Sequence, residues 1–231
     1  PCHIVEWRDH HWQECRVVDS GAGGFSWELG DIDDPLLKTA LAPLGEAFPE
    51  GYRTEVRTCY RSFLEPLARS LDAGLMLWID YGFARPDYYH PARNAGTLRT
   101  FSSHRAGENP LRSPGEADIT AHVDFTAVAE AAADLGGHAI EFRNQGAWLT
   151  ETARDWLLEQ EGHPSPSALR QFQTLIHPAH LGGSFHVLEL SWRNPGASAP
   201  HIDLARRLFG RAPEISVHAG TLRPCSTPPP R

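Results

Sequence analysis

The feature that most constrains this chain is a continuous apolar run, Leu75-Met76-Leu77-Trp78-Ile79, that follows a helical segment and stops at Asp80-Tyr81-Gly82. The helix before it is predicted over residues 59–71, where Phe63, Leu64, Leu67 and Leu71 recur at helical spacing and Gly74 ends the connection. A helix leading into a strand that is apolar on both faces is the pattern of a buried strand in a parallel sheet, and so of an α/β fold. Ligands in such folds bind where the carboxyl ends of the strands converge. Asp80 at that end either orients a polar substrate or caps a turn, and local chemistry leaves both readings open. Gly82 allows close backbone approach.

Around this unit the chain alternates short strands and helices. Residues 3–7 and 12–19 are predicted strands about a turn at 8–11. In Phe25–Gly30, apolar Phe25, Trp27 and Leu29 alternate with Ser26, Glu28 and Gly30, which makes a third strand. Asp33-Asp34-Pro35 places acids and a first-turn proline where a helix begins. Pro49-Glu50-Gly51 is a turn ahead of a strand at Tyr52–Val56. Residues 83–121 are polar and rich in Pro, Gly and Arg, and read as one long functional or disordered loop. Then come a helix over 123–135 opened by Asp124, a strand at 138–142, helices over 147–160 and 167–176, and a closing strand at 184–192. Prolines at 195, 200, 213, 224 and 228–230 mark 193–231 as a largely disordered tail, leaving 1–192 as the folded domain.

Composition narrows the function classes. At 231 residues, 41% hydrophobic and 22% charged, the chain can bury one sizeable core. A net charge of −8 lacks the dense basic face that nucleic acid requires. No apolar run approaches the roughly 20 residues that span a bilayer, and there is no cationic, apolar leader. Nucleic-acid and membrane partners are therefore not expected. Lys38 is the single lysine among 21 basic residues, a bias typical of GC-rich genomes. Cys2, Cys15, Cys59 and Cys225 are far apart with no CxxC pair, which suits reduced thiols better than disulfides or zinc. His177/His180 and His10/His11 have no carboxylate or Cys at ligand spacing, so no metal is expected. Neither a GxSxG elbow nor a GxxxxGK[ST] loop is present. Arginine bias, few cysteines and the missing leader favour a bacterial cytoplasm. A start at Pro1 rather than Met reads as a processed, engineered or partial product.

Three local clusters carry chemistry. Val17-Val18-Asp19-Ser20-Gly21-Ala22-Gly23-Gly24 has the strand, acid and glycines that open a cofactor loop, but the next segment alternates as a strand where a helix is required. A hairpin is the better reading. Gly96-Thr97-Leu98-Arg99 through His104-Arg105 puts Arg99, His104 and Arg105 in a loop, as site residues or as solvated charges. Glu116, Asp118, His122 and Asp124 lie close together at a helix start, where they form an acid/base or substrate-clamping cluster, or only a turn and an amino-terminal cap.

Together these segments resemble the MidA family, which includes the mitochondrial complex I assembly-factor arginine methyltransferase. The matching pieces run in family order over about residues 1–192: the strands at 3–7 and 12–18, the segment 49–56, Leu77-Trp78-Ile79-Asp80-Tyr81-Gly82-Phe83, Tyr88-Tyr89-His90-Pro91, Gly96-Thr97-Leu98-Arg99, His104-Arg105, the segment 114–125 and the block 181–188. The resemblance implies an α/β, class I methyltransferase-like (Rossmann-like) core. Its sheet is mostly parallel with flanking helices, and its N-terminal strands are missing from this chain. It implies methyl transfer from S-adenosylmethionine as cofactor, with protein arginine as acceptor. The family's glycine loop, ribose-binding acid and Asn-Glu motif fall before the point matching Pro1, and the end block reads His180-Leu181-Gly182 in place of Glu-Met-Gly. The residues carried over are therefore Asp80, Tyr81, Gly82, Arg99, His104, Asp118 and Asp124, on the substrate side. No catalytic or cofactor-binding residue is identified. Methyl transfer depends on holding donor and acceptor in line, and a guanidinium acceptor wants carboxylates, for which Asp80 and Asp124 are the candidates. The rival reading is a non-catalytic protein-interaction module derived from a methyltransferase; a small-molecule methyltransferase is a weaker one. A core lacking its first strands exposes apolar central strands, which predicts instability or a homo-oligomer.

Overall fold

The computed structural model describes residues 2–102, 105–107, 109–112, 114–162 and 164–193. In chain order the elements are β1 (His3–Arg8), β2 (His11–Asp19), β3 (Phe25–Gly30), α1 (Pro35–Leu41), β4 (Tyr52–Val56), α2 (Tyr60–Arg69), β5 (Ala73–Phe83), α3 (Arg85–Tyr88), β6 (Arg99–Ser102), β7 (Arg105–Gly107), β8 (Asp118–Thr120) and β9 (Val123–Asp124). They continue as α4 (Phe125–Ala133), β10 (Gly137–Asn144), α5 (Gln145–Thr152), α6 (Arg154–Gly162), α7 (Pro166–Ile176), α8 (Leu181–Ser184) and β11 (Phe185–Arg193). The chain divides into two compact units, residues 1–60 with 86–122 and residues 61–85 with 123 onward.

The first unit is built on an antiparallel sheet in the order β3-β2-β1-β4. Its β1–β2 turn holds Asp9 and His10 at φ of 49° and 63°, the left-handed pair a tight hairpin requires. The glycine cluster is the β2–β3 hairpin loop: Gly21 and Gly23 take positive φ, and Asp19 accepts the Gly21 N–H at 2.8 Å. Alternation sends Val5, Trp7, Trp12 and Tyr52 to one face, where Trp7 and Trp12 meet edge-on at 5.1 Å and Phe48 packs on Tyr52 at 4.7 Å. Leu37 and Leu41 of α1 complete this core, and Asp34 caps the helix by accepting the Leu36 N–H. The opposite face is polar, presenting Glu6 across from Arg53 and Ile4 across from Glu55.

Residues 83–121, read from sequence as one loop, contain α3 and a small antiparallel sheet in the order β7-β6-β8. Strands of three or four residues are too short to show a period of two, so polar composition masked them.

The second unit has a sheet in the order β10-β11-β5-β9. β9 runs parallel to β5, whereas β11 is antiparallel to both β5 and β10. The two long pairings are thus antiparallel and only the short β5–β9 pairing is parallel, so the sheet is mixed where a mostly parallel one was expected: β11 enters reversed between β10 and β5. α4 covers the face bearing Leu188 and Phe142, with the Phe125 and Phe142 rings 5.1 Å apart. α5 lies on the other face, where Trp148 Nε1 donates to Glu189. This is an α/β layering with helices on both sides of the sheet.

Some expectations change here. β5 extends through Asp80-Tyr81-Gly82, so these residues lie inside a strand and not beyond its end. β11 is more deeply buried than β5, with Val187, Leu188 and Leu190 at 0% exposure, whereas Ile79 of β5 is 44% exposed. The helix predicted over 59–71 ends at Arg69, and of its apolar stripe Leu64 is buried while Phe63 is 58% exposed. The predicted helix over 147–160 is two helices, α5 and α6. Residues 194–231, read as a disordered tail, lie outside the described residues.

Candidate functional site

In the first unit a buried carboxylate draws together three of the segments that carry the resemblance. Glu55 on β4 is 2% exposed, and its Oε1 accepts the Leu98 N–H at 3.0 Å. Its Oε2 accepts the Thr97 N–H and the Thr97 hydroxyl, each at 2.9 Å. Thr97 Oγ1 in turn accepts the His122 N–H at 3.0 Å. Tyr88 Oη lies 3.4 Å from Glu55 Oε2 and 3.2 Å from the His122 carbonyl. Burial, then the neighbouring Glu55 charge, holds the Tyr88 hydroxyl well above its ordinary pKa. Arg57 ties down the adjacent backbone, donating to the Ala121 carbonyl at 2.7 Å and to the His122 carbonyl. Gly96 is required here: its φ is 69°, and a Cβ would collide with the Glu55 carboxylate.

This network fixes the turn that leads into Arg99. On the polar face of the sheet, Arg99 borders a pocket of about 430 Å³ together with Glu6, Arg8, Arg53 and Glu55. Ile4, Trp27, Leu98 and Pro110 supply apolar walls. Glu6, 3% exposed, accepts Arg8 Nε at 2.5 Å on one oxygen and Arg53 Nη2 at 2.6 Å on the other. Burial pushes the Glu6 carboxyl up, but the hydrogen bonds from Arg53 and Arg8 outweigh it and leave its pKa below the ordinary value. Asp118 sits exposed on β8, beside Arg99's strand in the same small sheet.

In the second unit, parallel pairing sets Gly82 beside Val123 and Phe83 beside Asp124. A Cβ on Gly82 would strike the Val123 backbone and the Phe125 ring, so the close approach depends on glycine. Asp124 caps α4, its Oδ1 accepting the Ala127 N–H at 3.1 Å, and its Oδ2 lies 3.7 Å from Arg85 Nε. Arg85 also pairs with Glu130 and donates its backbone N–H to the Thr126 hydroxyl. Burial raises the Asp124 carboxyl above its usual range, with the Ala127 N–H and Arg85 acting against it. Asp80 faces His186 across the β5–β11 pair, and its Oδ1 accepts the N–H of Tyr81. The Tyr81 ring packs on Phe185 at 3.9 Å.

Of the residues chosen from sequence, Gly82 and Asp124 are thus brought together with Asp80 and Tyr81 just before them on the same strand. Arg99 and Asp118 share a sheet in the other unit. His104 lies outside the described residues. Glu6, Arg53, Glu55, Tyr88 and Thr97 were not singled out as site residues, although all five lie in segments that carry the resemblance. The available signal was a charged residue at alternate positions of a strand, Arg53 and Glu55 on either side of Thr54, with Glu6 pairing across from Arg53.

The sequence profile of the family described as "Putative S-adenosyl-L-methionine-dependent methyltransferase" matches residues 1–143. The chain belongs to this family. It is 29% identical to the mitochondrial protein arginine methyltransferase NDUFAF7 homolog of Drosophila melanogaster, over 88% of this chain and 46% of that protein. The rat mitochondrial protein arginine methyltransferase NDUFAF7 is 33% identical, over 82% of this chain and 43% of its own length. A solved COG1565 superfamily structure from Burkholderia thailandensis, bound to S-adenosyl-homocysteine, is 33% identical. It superposes with a TM-score of 0.72 over 83% of this chain and 50% of its own. The chain therefore has the methyltransferase fold of these neighbours, and it spans about half the length of the relatives it matches. Its glycine-rich segment does not fit the methyl donor: a hairpin loop between antiparallel strands presents no helix amino terminus. Among the described residues no group of three or more His, Cys, Asp or Glu is placed to hold a metal, and no helix is long and apolar enough to cross a membrane.

Proposed function

We propose that this chain is the substrate-side part of an S-adenosylmethionine-dependent methyltransferase whose acceptor is an arginine side chain of a protein. The observation that carries this reading is the family match over residues 1–143, joined to relatives at 29% and 33% identity that are named protein arginine methyltransferases. In this reading the donor is held by sequence outside these residues. Within the second unit, the close β5–β9 pairing at Gly82 and the Asp124 cap on α4 supply a rigid backbone edge for the acceptor. Rigid support suits a reaction whose acceleration comes mainly from alignment.

The test is transfer of tritium from labelled S-adenosylmethionine to a protein extract, using the protein expressed with its encoded flanking sequence. Acid hydrolysis should return the label as methylarginine. Label in lysine, glutamate or a small molecule, or no transfer at all, rules the proposal out.

A further inference from the structure

We infer that the pocket on the polar face of β1–β4 is a binding site for a carboxylate carried on an apolar body, with Arg99, Arg8 and Arg53 as its donors. The reason lies in which hydrogen-bonding groups the protein has already committed. Both oxygens of Glu6 are occupied, Oε1 by Arg8 Nε and Oε2 by Arg53 Nε and Nη2. Both oxygens of Glu55 are occupied by the Thr97 and Leu98 N–H groups and the Thr97 hydroxyl. Glu6 thus accepts three hydrogen bonds from the chain and Glu55 is bonded at both oxygens, which leaves the pocket's two carboxylates little acceptor capacity for an incoming cation.

The donors are in surplus. Arg99 spends one nitrogen, Nη1, on the Leu98 carbonyl at 2.6 Å and faces no carboxylate among the described residues. The two terminal nitrogens of Arg8 and Nη1 of Arg53 also make no hydrogen bond among the described residues. Three guanidinium groups thus stand against two carboxylates around one cavity. Guanidinium forks match carboxylate geometry, and a partly desolvated cluster with vacant N–H groups favours an anion. The walls of Ile4, Trp27, Leu98 and Pro110 select for an apolar or aromatic body beside the charge, and about 430 Å³ suits a small ligand or one or two peptide side chains. An acceptor guanidinium would meet like charge here and finds at most a single acceptor site, on Glu6 Oε1. This inference does not rest on the methyl-transfer reading.

Calorimetric titration of the full chain with N-acetylphenylalanine, its uncharged amide, acetyl-Phe-Glu-Phe-amide and N-acetylarginine amide tests it without any methyl donor. The free acid or the glutamate peptide should bind at least tenfold more tightly than the neutral amide and the arginine probe, and should weaken as salt rises. Tighter binding of the acid assigns the site to a terminal carboxylate, and tighter binding of the peptide assigns it to an acidic side chain. Arg99→Ala should weaken the preferred probe at least tenfold. Arg8→Ala, at a half-exposed side chain that packs little, should weaken it several-fold and serves if Arg99→Ala does not fold. Equal binding of acid and amide, preference for the arginine probe, no binding of either carboxylate, or an unchanged affinity in folded variants overturns the inference.

Discussion

Asp124 shows how much of a single residue's behaviour comes from its surroundings. It caps α4, and the cap is worth about 1 kcal/mol against alanine, so Asp124→Ala should lower the melting temperature accordingly. The carboxyl is also buried, and burial raises its folded-state pKa above the unfolded value. The folded protein then binds the proton more tightly than the unfolded chain does. Its contribution is fully present below the ordinary carboxylate pKa and declines as pH rises through the raised one, levelling off above it. Asp124→Asn keeps the accepting oxygen and removes the titration. The stability of the native protein relative to this variant should therefore fall with rising pH just above the carboxylate range, measured by denaturant melts across that interval. A flat difference, or one that rises, contradicts the assignment. Asp124 could be picked out from sequence because a cap is a local device. Glu55 could not, because its partners Thr97 and Leu98 are 42 and 43 residues further along the chain. Nothing near position 55 announces that its carboxylate will hold a distant turn.

Elements were legible in proportion to how local their causes are. The β1–β2 and β2–β3 hairpins, α1 with its Asp34-Pro35 start and the closing strand follow from turn chemistry and period. The small β7-β6-β8 sheet does not, because its strands exist through pairing with one another. The burial of β11 in preference to β5 is likewise set by position in the sheet: β11 is flanked along its length, whereas β9 pairs with β5 only at Gly82 and Phe83. The first hairpin carries a local cost that can be relieved. His10 sits at φ 63°, where a residue with a Cβ is strained by roughly 1 kcal/mol or more. His10→Gly should stabilise the first unit by about that amount, read as a higher denaturant midpoint with an unchanged slope. A lower midpoint would mean that the His10 side chain makes a compensating contact.

At the scale of the whole molecule the question is whether this stretch of fold holds the methyl donor by itself. Its glycine cluster has the residue types of a cofactor loop, but the structure puts them in a hairpin, where the backbone N–H groups are not gathered at a helix amino terminus. The family membership and the S-adenosyl-homocysteine in a 33% identical structure argue that the fold is built to work with that cofactor. The two statements are reconciled if the donor pocket is formed by the part of the relatives that this chain does not span. Mass action makes the distinction measurable. A ligand present at a hundred times its dissociation constant stabilises a folded protein by about 2.7 kcal/mol. For a chain of this size that is a rise of roughly 5–10 °C in melting temperature. With S-adenosylmethionine or S-adenosyl-homocysteine at 1 mM, residues 1–231 alone should shift by less than about 1 °C, the scale the same relation sets when the dissociation constant is about millimolar or weaker. A shift of several degrees would place a donor site within these residues, most economically along the carboxyl-terminal half of β5, where Gly82 already brings two backbones into contact.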